Sequence, residues 1–252
     1  MRHLRFIIAV IVLVLGPLIS QPVDSSQANK LLLEAAANGD LEKVISALDA
    51  GADVNTVVQE NGWEKGFASL HLAAVQDSRS VIQELLKQKN IKVNAIVEAS
   101  GEVRGFTPLH LAAFLDKWQA LDQLCKAEGI DVNAYVQSCG KYKHYTPLHL
   151  ASIRGYAPSV EALLKHPDTD INAIIECDGK YKGFMPLHLA VVKGYRFAVI
   201  KLLEHKGIAA SARIKNDGVY DGFTPLAIAA SRENWKMTEE LFKHKDVFDS
   251  IK

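Results

Sequence analysis

The chain has 252 residues, of which 48% are hydrophobic and 23% charged, and its 29 basic residues balance its 29 acidic residues. This composition is typical of an ordinary soluble protein and excludes a disordered or fibrous chain. A formal net charge of zero gives no overall attraction for nucleic acid, so any charge-based recognition must come from local patches.

The first 25 residues have the three zones of a secretory signal. Basic residues precede an apolar run at 6–15, and small and turn-forming residues follow. We therefore expect residues 1–25 to be a signal peptide, cleaved after Ser20 or Ser25, and the protein to be exported to a periplasm or secreted. The alternative is an uncleaved membrane anchor formed by residues 4–19, which is shorter than the ~20 residues that cross a bilayer.

The remaining residues, 26–252, repeat one block of sequence. A seven-residue word, Phe/Tyr-Thr/Met-Pro-Leu-His-Leu-Ala, returns every 39 residues, at 106–112, 145–151 and 184–190, with diverged copies that begin at Phe67 and Phe223. A unit this short cannot bury its own apolar face, so the copies must stack and share one core. In each unit the pattern predicts a short inner helix, with proline in its first turn, and a second helix with apolar residues at helical spacing.

The words Thr-Pro-Leu-His-Leu-Ala-Ala at 107–113 and Gly-Ala-Asp-Val-Asn at 51–55 resemble the signature of ankyrin repeats. The resemblance covers the chain from about Ala28 to its end. It implies a mostly α fold, an ankyrin-repeat α-solenoid whose units start near residues 28, 67, 106, 145, 184 and 223. It also implies a scaffold for protein–protein interaction that carries out no catalysis.

Four histidines occupy the same position in successive units: His71, His110, His149 and His188. They lie ~10 Å apart if the units stack, too far to share a metal ion. In the ankyrin family this histidine makes hydrogen bonds in the turn before the inner helix, so we expect a structural role. The cysteines fit no metal site either. For Cys139 and Cys177 two alternatives remain, a disulfide between them or two free thiols. We expect no metal and no cofactor.

The units are longer than the usual ~33 residues of an ankyrin repeat because the connections between them are longer. Each long connection has a two-residue turn motif at its centre: Asn61-Gly62, Ser100-Gly101, Cys139-Gly140, Asp178-Gly179 and Asp217-Gly218. Such pairs favour the type I′ turn, and the flanking residues are β-prone. We therefore predict five long β-hairpin fingers.

Pairing outward from these turns places two columns of side chains across the fingers. The aromatic column contains Tyr142, Tyr181 and Tyr220, and the basic column contains Lys65, Arg104, Lys143 and Lys182, with Lys141 and Lys180 beside it. Aromatic residues with basic neighbours are enriched in binding hot spots, although such pairs also stabilise an exposed hairpin that binds nothing. Trp63, near the tip of the first finger, is a separate candidate contact.

The second candidate surface is the concave face, formed by the ends of the inner helices. It carries Phe114 and Leu115, followed in later units by Arg154 and Lys193. Apolar contacts flanked by cations predict a partner protein with an apolar anchor and an acidic surface. The alternative is that Phe114 packs beneath its own finger.

We find no phosphate-binding glycine loop, no nucleophile elbow and no metalloprotease motif in the sequence. We therefore predict that the chain is not an enzyme and has no small-molecule substrate. The favoured function is an exported scaffold that binds a partner protein through its fingers and concave face. Two alternatives remain: a membrane-tethered assembly protein, and an accessory subunit or effector that acts on a host or enzyme partner.

Overall fold

The computed structural model describes residues 24–138, 140–244 and 246–247, and these residues form twelve helices in six consecutive pairs. The helices are α1 Ser25–Asn38, α2 Leu41–Asp49, α3 Ser69–Val75, α4 Arg79–Leu86, α5 Pro108–Phe114, α6 Trp118–Leu124, α7 Pro147–Arg154, α8 Ala157–Leu164, α9 Pro186–Lys193, α10 Arg196–Leu203, α11 Pro225–Ser231 and α12 Trp235–Phe242. The odd-numbered helices pack side by side as an inner layer, and the even-numbered helices form an outer layer behind them.

Local sequence explains where the inner helices begin and end. Proline at the first helical position of α5 and α7 has no N–H to leave unpaired, and the hydroxyls of Thr107 and Thr146 accept the N–H groups of His110 and His149. Helix α7 stops at Gly155, which adopts a left-handed conformation with φ of 80°.

One hydrophobic core runs through all six pairs, from Leu32 in α1 to Val247 near the end of the described chain. Alanines on neighbouring inner helices, including Ala112 and Ala151, are fully buried and let the helices approach closely. The prediction of a mostly helical solenoid with a shared core is confirmed.

The four repeated histidines join each unit to the next. In His110 the Nδ1 atom accepts the backbone N–H of Thr107 at 3.2 Å, and the Nε2 atom lies 3.2 Å from the carbonyl oxygen of Tyr145. This geometry requires the neutral ring with its proton on Nε2. His71 and His188 keep the Nδ1 contact although a threonine is missing before them, because the backbone N–H of Ala68 or Met185 still reaches Nδ1. The Nε2 atom of His71 lies 3.3 Å from the Phe106 carbonyl oxygen, 35 residues on, whereas that of His188 lies 3.1 Å from the carbonyl oxygen of Ala212, 24 residues on.

The prediction of five long β-hairpin fingers is wrong. The long connections, which we call finger loops 1 to 5, cover 55–67, 94–106, 133–145, 172–184 and 211–223, and the described part of the chain contains one isolated β-bridge, between Val57 and Ala68. In finger loop 2 pairing is limited to Val97, which donates to the carbonyl of Phe106 at 2.9 Å and accepts the N–H of Gly105 at 2.8 Å.

Backbone conformation explains the absence of strands. A type I′ turn needs positive φ at both central residues, and among the described residues the non-glycines with positive φ are Asp77, Asp116, His144 and Glu233. The left-handed residue comes instead just before the next unit, as at Gly105 with φ of 80°. There it forms a bulge, and the returning limb curls through two further turns rather than extending. The cross-strand pairing that was predicted to form the aromatic and basic columns is therefore wrong as well.

The predicted signal segment lies largely outside the described residues, as does Cys139. Of its last residues, Asp24 caps helix α1 and Ser25 is the first residue of that helix. No helix within the described ranges is long and apolar enough to span a membrane. Cys177 is a free thiol whose Sγ donates to the carbonyl oxygen of Lys143 at 3.0 Å.

Candidate functional site

A groove of about 600 Å³ lies between finger loops 3 and 4, above the ends of helices α7 and α9. We call it the basic groove. Seven of the predicted site residues line it: Lys141, Tyr142, Arg154, Lys180, Tyr181, Lys182 and Lys193. The curled finger loops pack on the inner helices, as Tyr142 does on Phe114, so the finger residues and the concave-face residues meet at one place.

The groove carries a strong excess of positive charge. Its lining has five cationic side chains and one carboxylate, that of Asp178. Lys182 binds that carboxylate at 2.7 Å, and the hydrogen bond lowers the pKa of Asp178 and raises that of Lys182. Lys141 makes a longer contact of 3.5 Å with Glu102. Within the described residues, the ammonium groups of Lys180 and Lys193 form no ion pair.

Aromatic rings form the floor of the groove. Tyr142 is buried and stacks edge-on against Phe114 at 5.4 Å between ring centroids and against Phe106 at 5.9 Å. Tyr181 packs in the same way on Phe184 at 5.2 Å. These rings therefore hold the finger loops onto the helices, and Tyr181, which is half-buried, still borders the groove.

Phe114 is 8% exposed, so it is part of the core rather than a free anchor. The guanidinium carbon of Arg154 lies 4.2 Å from the centre of its ring, and Arg154 Nε donates to the Phe114 carbonyl at 3.4 Å. These two contacts hold the guanidinium, and its two terminal nitrogens have no hydrogen-bond or ion-pair partner among the residues that the structure describes. Phe114 therefore positions Arg154 at the groove.

The other predicted residues lie elsewhere. Trp63, Lys65 and Leu115 line a smaller cavity of about 270 Å³ between finger loops 1 and 2. Tyr220 packs against Phe184 in the preceding unit, with ring centroids 5.6 Å apart.

The residues of the predicted basic column also connect neighbouring finger loops through their backbone carbonyls. The carbonyls of Arg104, Lys143 and Lys182 accept hydrogen bonds from Ser138, Cys177 and Asn216 of the next finger loop. These bonds join successive loops, which keeps the lysine-bearing limbs in a fixed register. The side chains of Arg104 and Lys143 are not part of the groove lining.

Sequence reasoning missed Tyr195, which lines the groove from the turn after α9. Its ring lies directly over Gly155, where a Cβ atom would come within 2.4 Å of the ring. The pairing of a glycine in one unit with an aromatic residue 40 positions later is the feature of the sequence that could have located it.

Comparisons with known proteins agree with this architecture. A family model described as ankyrin repeats (3 copies) matches residues 32–136 and 135–214. Among solved structures, the human ASB11 ankyrin repeat domain is similar, with 25% sequence identity, a TM-score of 0.62, and coverage of 85% of this chain and 83% of that chain. Curated protein sequences give no significant match. The matched residues span most of the chain and coincide with the stacked helix pairs, and the protein belongs to the ankyrin repeat family.

Proposed function

We propose that this ankyrin protein binds a partner protein through the basic groove, and that the partner inserts an acidic segment there. Ankyrin repeats imply a scaffold for protein–protein interaction. The observation that carries the proposal is the groove lining, in which five cations face a single carboxylate that Lys182 already binds.

Arg154 is the central contact in this proposal. Its guanidinium is held by the Phe114 ring and carbonyl, so little side-chain entropy is lost when it binds. A carboxylate of the partner accepts both terminal N–H groups in the bidentate geometry that arginine favours. Lys180 and Lys193 neutralise further acidic residues on either side, and Ile153, Tyr181 and Tyr195 offer apolar contact for an adjacent anchor residue.

Affinity capture with paired charge reversals tests the groove. The variant Lys141→Glu with Lys180→Glu reverses two exposed charges, one on each finger loop, without removing a core contact. The control variant Lys89→Glu with Lys206→Glu makes the same change in net charge at exposed sites away from the groove. We expect the groove variant to lose the partner and the control to retain it.

Salt and peptide mapping complete the test. Capture by the unchanged chain should weaken as ionic strength rises, and an array of peptides from the captured partner should locate binding in an acidic stretch. If the groove variant captures the same partner with unchanged affinity, or if the bound peptides are basic, the groove is not the binding surface.

Export is a second part of the proposal. It is supported by the order of basic, apolar and small residues in the first 25 positions. The intact mass of the protein recovered from its producing cell distinguishes a cleaved chain from a retained anchor: loss of about 20 or 25 residues supports export, and a full-length mass supports the membrane-tethered alternative.

A further inference from the structure

A row of aromatic and basic side chains lies along one edge of the solenoid and shares Arg154, Lys193 and Tyr195 with the basic groove. It is formed by the turns that lead from inner to outer helices, at 115–119, 154–158, 193–197 and 232–236. We call this the turn edge. Because inner helices run parallel, their carboxyl-terminal turns all lie on the same side of the protein.

Direct contacts show that neighbouring turns adjoin. The ring of Tyr195 lies over Gly155 of the preceding turn. A cavity of about 570 Å³ is lined by Lys193 and Gly194 from one turn and by residues 232–236 from the next. Asp116 accepts a hydrogen bond at 2.7 Å from Ser159, just beyond the second turn. The edge is therefore one continuous surface.

Large aromatic rings project from this edge into solvent. Phe197 is 71% exposed, Trp235 is 70% exposed and Trp118 is 48% exposed. Tyr156 and Tyr195 fill the turns between them. Side chains this exposed contribute little to the core, so their recurrence in three of the four turns needs a different explanation.

Basic residues dominate the charge of the same turns. Lys117, Arg154, Lys193, Arg196, Arg232 and Lys236 lie there, against the carboxylates of Asp116 and Glu233. Ser159 already binds Asp116, and Arg196 is paired with Glu240 at 2.7 Å. Lys117, Lys193, Arg232 and Lys236 remain as positive charges interspersed with the rings.

We propose that the turn edge binds the headgroup region of an anionic lipid bilayer. Tryptophan and other aromatic rings favour the membrane interface, and nearby lysine and arginine are attracted to anionic lipid. The spacing favours a bilayer over a protein. From Trp118 to Trp235 the row crosses three unit spacings, roughly 30 Å at ~10 Å per helix, whereas protein hot spots cluster in one dry centre.

Depth-dependent fluorescence quenching in the full chain tests the proposal. The protein has three tryptophans, so three single-tryptophan chains can be made by phenylalanine substitution. Each is mixed with vesicles of phosphatidylglycerol and phosphatidylcholine in which the acyl chains are brominated. Quenching reports which tryptophan touches the bilayer, even where residues 1–23 contribute to attachment.

The proposal predicts that Trp235 and Trp118 are quenched roughly twofold and that Trp63 is not. Trp63 serves as the comparison site because it is 60% exposed but lies on finger loop 1, not in one of the four turns that form the turn edge. Equal quenching at all three sites, or none at Trp235, overturns the proposal.

Charge variants provide the second measurement. Arg232→Glu with Lys236→Glu should abolish quenching of Trp235 and reduce vesicle affinity more than tenfold, since each cation near an anionic surface contributes about fivefold. Pure phosphatidylcholine should give little quenching of Trp235. Persistent quenching in the charge variant overturns the proposal. None of these substitutions alters the groove pair Lys141 and Lys180, so failure here leaves the partner-binding proposal intact.

Discussion

Acidification to pH 5 should destabilise this protein strongly because its four repeated histidines are buried in the neutral form. Burial lowers the pKa of His71, His110, His149 and His188 from the ordinary 6.5 to about 4. The same rings cannot accept a proton on Nδ1 while that atom accepts a backbone N–H, as in His110. The unfolded chain therefore binds protons that the folded chain excludes.

The direction and size of this change in the free energy of unfolding follow from the difference in proton binding between the folded and unfolded states. A pKa that is lower in the folded state gives stability that is complete above pH 6.5 and falls as the pH drops toward 4. At pH 5 an unfolded histidine is almost fully protonated and a folded one about one-tenth protonated, a loss of about 2 kcal/mol for each ring. Four rings together lose about 8 kcal/mol, which is comparable to the whole stability of a typical domain.

Urea unfolding followed by circular dichroism at a series of pH values measures this loss. Between pH 6 and 5 the free energy of unfolding should fall with a mean slope of about three and a half protons. Replacing His110 by Gln should reduce the slope to about two and a half protons. The lowered pKa values of Asp40, Asp122 and Asp178 act below 3.8, outside this window.

Two results would refute the reasoning. One is an unfolding midpoint that is equal at pH 7.5 and pH 5. The other is an undiminished slope in the His110 variant, which would assign the proton uptake to groups other than the repeated histidines.

Three further predictions concern stability, each measured by urea denaturation. Phe114→Ala should cost about 3 to 5 kcal/mol and release Arg154, because the ring is a core residue; a loss below 1 kcal/mol would contradict that placement. Gly183→Ala should lower the free energy of unfolding more than Gly207→Ala does. Both glycines have positive φ, but a Cβ atom at 183 would lie 2.6 Å from a backbone oxygen, whereas a Cβ atom at 207 would have no atom within 4 Å. Asn172→Ala should cost about 2 kcal/mol, since its amide forms two hydrogen bonds to the next unit; no loss would indicate replacement by water.

The stacked helices could be predicted from the sequence because the repeated motif includes the residues that start each inner helix. Thr107 and Pro108 start helix α5, and Leu109 and Leu111 supply the buried face. These local preferences and the shared core favour the same structure, so tertiary packing did not override them.

The finger loops could not be predicted correctly because two local preferences compete there. The pair Asp178-Gly179 favours a tight hairpin, but Gly183, just before Phe184, takes the left-handed conformation and ends the pairing. The curled limb lets Tyr181 pack on Phe184, and burial of that ring outweighs an extended ladder.

For the site, the basic residues were visible in the sequence but their grouping was not. Lys141 and Lys180 belong to different loops, and Arg154 is oriented by the ring of Phe114, a contact that depends on how the units stack. The turn edge was missed for the same reason, since Phe197 and Trp235 become neighbours along one surface only when the turns are aligned.

The histidine contacts also give the solenoid a direction of opening. At the junction with the unit that starts at Phe223, His188 contacts the carbonyl of Ala212, whereas His71, His110 and His149 contact the aromatic residue that starts the next unit. Phe223 is also partly exposed, whereas the equivalent Phe106 and Phe184 are fully buried. In a chain whose stability is a sum of nearest-neighbour interfaces, the most weakly joined unit opens first. Among the described units, we expect the one that starts at Phe223 to separate first. An unfolding enzyme that pulls from that side meets the least resistance at its first step, and one that pulls from the side of helix α1 must break the tighter interfaces first.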